Sequence, residues 1–117
     1  RCNVTHACFE PKELVKFYPR GNKALLAPFH QFMTGDVFDW FEKKGIELKI
    51  EDDNRVFPAS NSSQTIIDCF LDEAHRLGIE IKTSDALKTI EPVDNKWKIE
   101  TKEAMRTSMQ VLDNVHP

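Results

Sequence analysis

Glycine is scarce in this chain, four residues in 117, at positions 21, 35, 45 and 78. That spacing leaves no G-x-G-x-x-G, the turn a dinucleotide-binding unit needs after its first strand to let backbone approach a pyrophosphate. Nor does a P-loop, H-E-x-x-H, G-x-S-x-G or C-x-x-C occur, so the chain encodes no self-sufficient catalytic constellation of these kinds. Cysteine is sparse too: Cys2, Cys8 and Cys69 are an odd number spread too widely for a disulfide scaffold. Reduced thiols and a cytoplasmic location are the expectation. No apolar run approaches the ~18 residues of a membrane span, and no secretory signal pattern opens the chain. Charge of one sign is also lacking. Sixteen Lys and Arg oppose nineteen Asp and Glu, a net charge of −3 with both signs interspersed. No basic field awaits a phosphate backbone, which argues against a nucleic-acid partner.

What is present suits one globular segment. A chain of 117 residues is too short for two ordinary domains. Folding should remove roughly two thirds of its unfolded surface from water, enough for one modest core. Hydrophobic residues at 40% and charged residues at 30% exclude a disordered chain. The distinctive polar string Arg1-Cys2-Asn3-Val4-Thr5 stands at the first positions, where chain ends usually fray. It predicts that residues 1–117 are a single segment from inside a longer protein.

Two amphipathic helices are the clearest local signals. One starts near Thr34 as N-cap, carries Asp36 in its first turn, turns Val37, Phe38 and Phe41 inward, and ends at Gly45. The other runs from residue 62 or 63 to 77. Its Ile66, Ile67, Phe70, Leu71, Ala74 and Leu77 make a continuous apolar stripe, and Gly78 closes it. Between them Ile46, Leu48 and Ile50 alternate with charged residues, which predicts a strand. Asp52-Asp53-Asn54 reads as a turn and Arg55-Val56-Phe57-Pro58 as a return strand that Pro58 ends or confines to an edge. Residues 79–83 alternate again. A strand pair, 87–91 and 96–101, follows around Asp94-Asn95 with Trp97 and Ile99 on one face, and residues 108–112 suggest a last strand. Near the N-terminus, Pro11 opens a short helix. Pro19-Arg20-Gly21-Asn22 breaks it, and residues 24–32 form another with Pro28 in its first turn or at a kink. The class is α+β, with helices, a strand–helix–strand unit and an antiparallel β-meander.

Most polar residues have a plain structural reading. Asp52 and Asp53 suit a turn, His30 and His75 the surface or core edge of a helix, and Phe38, Trp40 and Phe41 core packing rather than a ligand platform. Cys2, His6 and Cys8 lack structural-zinc spacing and a fourth ligand, so no metal site is expected. Two stretches invite a functional reading. Arg1-Cys2-Asn3 pairs a forked cation with an amide, suited to phosphate or a polar ring edge. Arg55-Val56-Phe57-Pro58-Ala59-Ser60 sets a guanidinium and a hydroxyl before a helix N-terminus, whose free N–H groups favour an anion.

In order, RCNVT at 1–5, FEKKGIELK at 41–49, RVFPAS at 55–60 and LGIEI at 77–81 resemble the BaiN-like (YhiN-type) flavoproteins, whose pattern reads GGGRCN-[LV]-T, GIELK, RVFP-x-S and GVEI before a β-meander. That resemblance implies the inner part of an FAD-binding domain of glutathione-reductase-like fold, lacking its G-x-G-x-x-G unit, from an NAD(P)/FAD-dependent oxidoreductase. It implies that Arg1, Cys2 and Asn3 lie in the flavin-side loop, that backbone at Leu87 holds adenine, and that Arg55, Phe57, Pro58 and Ser60 line the flavin or substrate cleft. His6 stands where the family often has Asn, and residues 105–117 depart from the pattern. The flavin would carry the redox chemistry in the parent, with a small-molecule substrate; the segment alone is expected neither to retain FAD nor to turn over. The alternative is a stand-alone α+β interaction domain without catalysis, able to self-associate through exposed sheet edges.

Overall fold

A computed structural model of the chain describes residues 2–103 and, by their backbone, 105–108. The chain divides into two compact units, Arg1–Gly78 and Ile79–Pro117. In the first, β1 (Thr5–His6), α1 (Pro11–Leu14), a 3-10 turn (Val15–Phe17), α2 (Asn22–Gln31), α3 (Thr34–Lys43), β2 (Leu48–Ile50), β3 (Arg55–Pro58) and α4 (Ser63–Arg76) follow in order. In the second come β4 (Leu87–Val93), β5 (Lys96–Thr101) and β6 (Met105–Ser108).

The sheet of the first unit has the order β1-β3-β2, with β3 antiparallel to both neighbours. Thr5 pairs with Val56, and Leu48, Lys49 and Ile50 pair with Pro58, Phe57 and Val56. The turn at 52–54 closes the β2–β3 hairpin through Asn54, whose φ of 65° is left-handed, a conformation Asn tolerates better than most residues. Pro58 ends the strand, as its missing N–H requires. The ladder resumes one residue later, where Ala59 N donates to Glu47 O at 2.9 Å.

Helix α3 ends as its sequence indicates. Gly45 takes a φ of 77°, its N–H donates to Glu42 O (2.9 Å), and Ile46 N–H donates to Phe41 O (3.0 Å). This is the two-bond Schellman closure that a left-handed glycine permits. The start differs from expectation. Thr34 is not the N-cap but the first helical residue, and it is buried, with its hydroxyl donating to His6 O at 3.2 Å. A tertiary acceptor has captured the hydroxyl, and the Asp36 carboxylate instead accepts from Met33 N–H at 2.6 Å. Helix α2 begins two residues before its expected start, after Gly21 at φ 76°, so Pro28 lies in the helix body.

Helix α4 has its N-cap at Ser62, whose Oγ accepts from Gln64 N at 3.3 Å. Its apolar stripe is divided. Ile66 and Cys69 are buried with Phe41 in the core, whereas Ile67, Phe70, Leu71 and Leu77 stand 47–55% exposed. The stripe is thus only partly covered, because it is wider than the surface that β3 and α3 offer it. Phe70 keeps one side covered, 5.7 Å from Phe41 and 5.5 Å from Trp40 between ring centroids.

The second unit is a meander of order β4-β5-β6, antiparallel throughout, with Asp94 at φ 53° in its first turn. Trp97 and Ile99 do share a face, opposite Pro92 and Ile90. Residues 79–83 form no strand. Ile79 and Ile81 are more than half exposed, and no described strand pairing includes them. The strand–helix–strand unit thus lacks its second strand. The last described strand ends at Ser108, where the sequence suggested one beginning, and residues 109–117 lie outside the described residues.

Phe41, 3% exposed, fixes the α3–α4 contact. Phe41→Ala should cost about 3–5 kcal/mol of unfolding free energy in urea titration. Phe70→Ala should cost markedly less, since half of that side chain already faces water.

Candidate functional site

The central strand β3 draws the N-terminal loop onto itself. Val4 N–H donates to Val56 O at 2.7 Å, and Val56 N–H donates to the Asn3 side-chain Oδ1 at 3.2 Å. Asn3 therefore supplies from its side chain the acceptor that backbone would otherwise provide. With its oxygen engaged, the amide NH2 remains as a pair of donors.

Cys2, Asn3 and Val4 rim a cavity of about 360 Å³ whose walls are Trp40, Phe41, Phe70, Ile66, Val37 and Phe32. Trp40 meets Phe41 edge-on at 4.9 Å. Among the described residues no Asp, Glu, Lys, Arg or His lines it. The polar side-chain groups are the Asn3 amide, the Cys2 thiol and the Trp40 indole N–H, all able to donate. Such a space suits a flat, uncharged ring that presents hydrogen-bond acceptors. A second cavity of about 400 Å³ shares Asn3, Val4, Phe32 and Val37 and extends to His6, Tyr18, Phe29 and Thr34. Ring contacts of His6 with Phe17 (4.7 Å) and Tyr18 with Phe29 (5.7 Å) lie in this region.

A cluster of charges braces the Trp40 wall. Lys44 Nζ lies 4.6 Å from the Trp40 ring centroid and 2.7 Å from Glu73 Oε2. Arg76 grips the same carboxylate through both oxygens, at 2.6 and 2.9 Å. The Arg76 and Lys44 hydrogen bonds hold the Glu73 carboxyl down at about 2, from 4.5 ordinarily. Burial pushes the Cys69 thiol up, so it is a poor nucleophile.

Of the residues singled out in the sequence, Cys2 and Asn3 meet at the cavity rim, and Arg1 lies outside the described residues. Arg55 opens β3 beside the Asn3 staple. Its Nε is 2.6 Å from Asp53 Oδ2 and its guanidinium is 5.3 Å from the Phe57 ring centroid. Hydrogen bonds from the Arg55 N–H and then its guanidinium lower the Asp53 carboxyl below its ordinary value. Phe57 and Pro58 are buried. Ser60 sits past the far end of β3, its Oγ 2.6 Å from Thr65 Oγ1 and accepting from Ser62 N–H at 3.2 Å. That hydroxyl and the Ser62 cap organise the α4 N-terminus from within. Leu87 belongs to the second unit, where it opens β4 opposite Thr101 at a register shift. His30 and His75 are exposed. Among the described residues no three His, Cys, Asp or Glu side chains cluster to hold a metal, and no helix is long and apolar enough to cross a membrane. Sequence reasoning missed the Trp40 wall, the Thr34 tie and the Lys44–Glu73–Arg76 brace. Glu73 and Arg76 have the i,i+3 spacing of a helical ion pair, but nothing local marks Lys44 as their partner.

A family model described as HI0933-like protein Rossmann domain matches residues 1–113, nearly the whole chain. A Rossmann domain is built on parallel strands, whereas every described strand pair here is antiparallel.

Because the folded carboxyl of Glu73 titrates below its unfolded value, its contribution to stability is complete above about pH 4.5 and is lost as pH falls toward about 2. Glu73→Gln should flatten that part of the acid-unfolding curve, followed by tryptophan fluorescence, while leaving neutral-pH folding intact.

Proposed function

The chain belongs to the HI0933-like Rossmann-domain family, an FAD-binding flavoprotein family, and we propose that it forms the inner, flavin-side part of the FAD domain of an oxidoreductase of the BaiN-like (YhiN-type) group. FAD would supply electron transfer, with NAD(P)H or a similar donor reducing it. The observation that carries this reading is the family match across residues 1–113. The cavity at the Cys2–Asn3 rim, whose described lining is largely aromatic and aliphatic, supports it.

The residues present fit one end of the cofactor. Asn3, with its oxygen held by Val56, offers NH2 donors to a ring edge that bears carbonyl or ring-nitrogen acceptors. The aromatic walls shelter a flat ring from water. Arg1 and Arg55 are the cations nearest this loop in sequence and strand order, suited to the polar part of the cofactor or to substrate, with Ser60 further along the same stretch. Backbone at Leu87 would take the adenine. The diphosphate end does not fit. The α4 N-terminus is already capped by Ser62, and Asp36 occupies the start of α3. No glycine-rich turn stands before either helix.

The 117-residue chain should accordingly bind FAD weakly and show no turnover. Flavin fluorescence titration should give no sub-micromolar affinity, and added FAD should not support NAD(P)H oxidation; either activity would overturn the reading of a flavin-side part. In a protein that joins this segment to a glycine-loop unit, Asn3→Leu should weaken FAD about tenfold, the loss of one good hydrogen bond to a buried acceptor.

A further inference from the structure

The second cavity, of about 400 Å³, has no part in the flavin reading, yet it adjoins the first through Asn3, Val4, Phe32 and Val37. Its floor is closed, with Leu14 and Thr34 buried and Val4 and Val37 half-buried. Its mouth is aromatic. Gly21, left-handed at φ 76°, turns the chain from the 3-10 turn into α2. Phe29 is thereby brought back to the Tyr18 ring, 5.7 Å between centroids, and Phe32 follows three residues later. Among the described residues no Asp, Glu, Lys or Arg lines this space. The Thr34 hydroxyl is spent on His6 O and the Asn3 oxygen on Val56 N–H. Donors remain: the Tyr18 O–H, an N–H of the His6 ring and the Asn3 NH2. Helix α2, which forms one wall, has no buried side chain among its ten residues, so an occupant would add burial where the fold supplies little.

We propose that this cavity binds a neutral one- or two-ring compound presenting a carbonyl oxygen, and that the small-molecule substrate of the parent is of this class. The second half rests on the flavin reading above; the binding itself does not. A flat ring suits walls made of Tyr18, Phe29 and Phe32, and a carbonyl oxygen accepts from the donors left unspent. A carboxylate or phosphate would lose its hydration and find no Lys or Arg among the described lining. The size agrees, since cavities of roughly 300–1,000 Å³ hold small ligands. Because Asn3 and Phe32 belong to both cavities, occupants of the two are neighbours across a shared wall, the proximity that a reaction between them requires.

The 117-residue chain without FAD tests the site with α-tetralone, a neutral two-ring ketone, followed by NMR of amides and side chains. The expected result is saturable shifts at His6, Tyr18 and Phe29 with a dissociation constant below about 1 mM, within reach of so small a ligand. The Trp40 indole N–H, in the first cavity, should stay in place. Tyr18→Phe should weaken the ketone about three- to tenfold through loss of one hydrogen bond, and leave tetralin, the same rings without oxygen, unaffected. Tyr18→Ala should weaken both. Tyr18 is 41% exposed, so the far-ultraviolet dichroism of either variant should be unchanged. No shift up to about 2 mM ketone overturns the proposal. So do shifts centred on Trp40, or undiminished ketone binding by Tyr18→Phe. Lumiflavin, the flavin ring alone, separates this outcome from that of the flavin reading. Lumiflavin shifting Trp40 while the ketone stays bound supports both halves. A chain that takes the ketone but not lumiflavin keeps the site and overturns its link to the flavin. A chain that takes lumiflavin but not the ketone overturns the site alone.

Discussion

The structure of the first unit depends on the two-sided pairing of one residue, Val56. It is fully buried, it pairs with Ile50 on one side and Thr5 on the other, and both its backbone groups bond to the N-terminal loop. A strand of four residues has little ladder of its own. Its hold on the fold comes from sitting in the middle, where each hydrogen bond is shielded by a neighbour on the far side. The hairpin, the Cys2–Asn3 rim and the footing of α4 are all referred to this position. Thr34 completes the arrangement by fastening the other end of β1, at His6, to α3.

Much of this was legible in sequence where the signal is local. Gly45 and Gly78 ended their helices as left-handed residues, Ser62 capped α4, and the Arg55–Pro58 strand has the boundaries its sequence suggested. Unreadable features were those decided by a distant partner. Thr34 looks like an N-cap until His6 offers a better acceptor, and β1 is too short for any alternation to appear. Residues 79–83 show the opposite failure. Their alternation is clear, but alternation states only that a strand would have one apolar face, not that a ladder exists to receive it. The stripe of α4 was likewise visible in composition, whereas how much of it is covered depends on elements distant in sequence. Of the candidate site, Cys2 and Asn3 were visible as an unusual string, whereas the aromatic cavity behind them was not, because Phe32, Trp40 and Phe70 come from three separate helices or their ends.

Membership of a Rossmann-domain family and a described structure with antiparallel pairing only can both hold. In open α/β folds, ligands gather where a parallel sheet meets its loops, and the phosphate turn belongs to the first strand–helix step. The residues here carry the hairpin, the helix pair and the meander. Among the described residues they hold a cavity whose lining suits a ring, and the sequence holds no glycine-rich turn for a diphosphate. Affinity and chemistry in such a fold are divided between segments. A segment can therefore retain a recognisable recognition surface while the greater part of the binding free energy resides elsewhere.

One consequence of the Asn3 staple concerns observation rather than stability. The amide hydrogen of Val56 lies at the centre of the sheet, yet its acceptor is a side-chain oxygen on the loop at the cavity rim. Ordinary ladder amides exchange with solvent only when a whole strand separates. This one can be released by rotation of a single side chain. Any movement that withdraws the Asn3 oxygen will thus be recorded in the deuterium uptake of a residue buried in the core, so the Val56 N–H is a built-in gauge of the position of that loop.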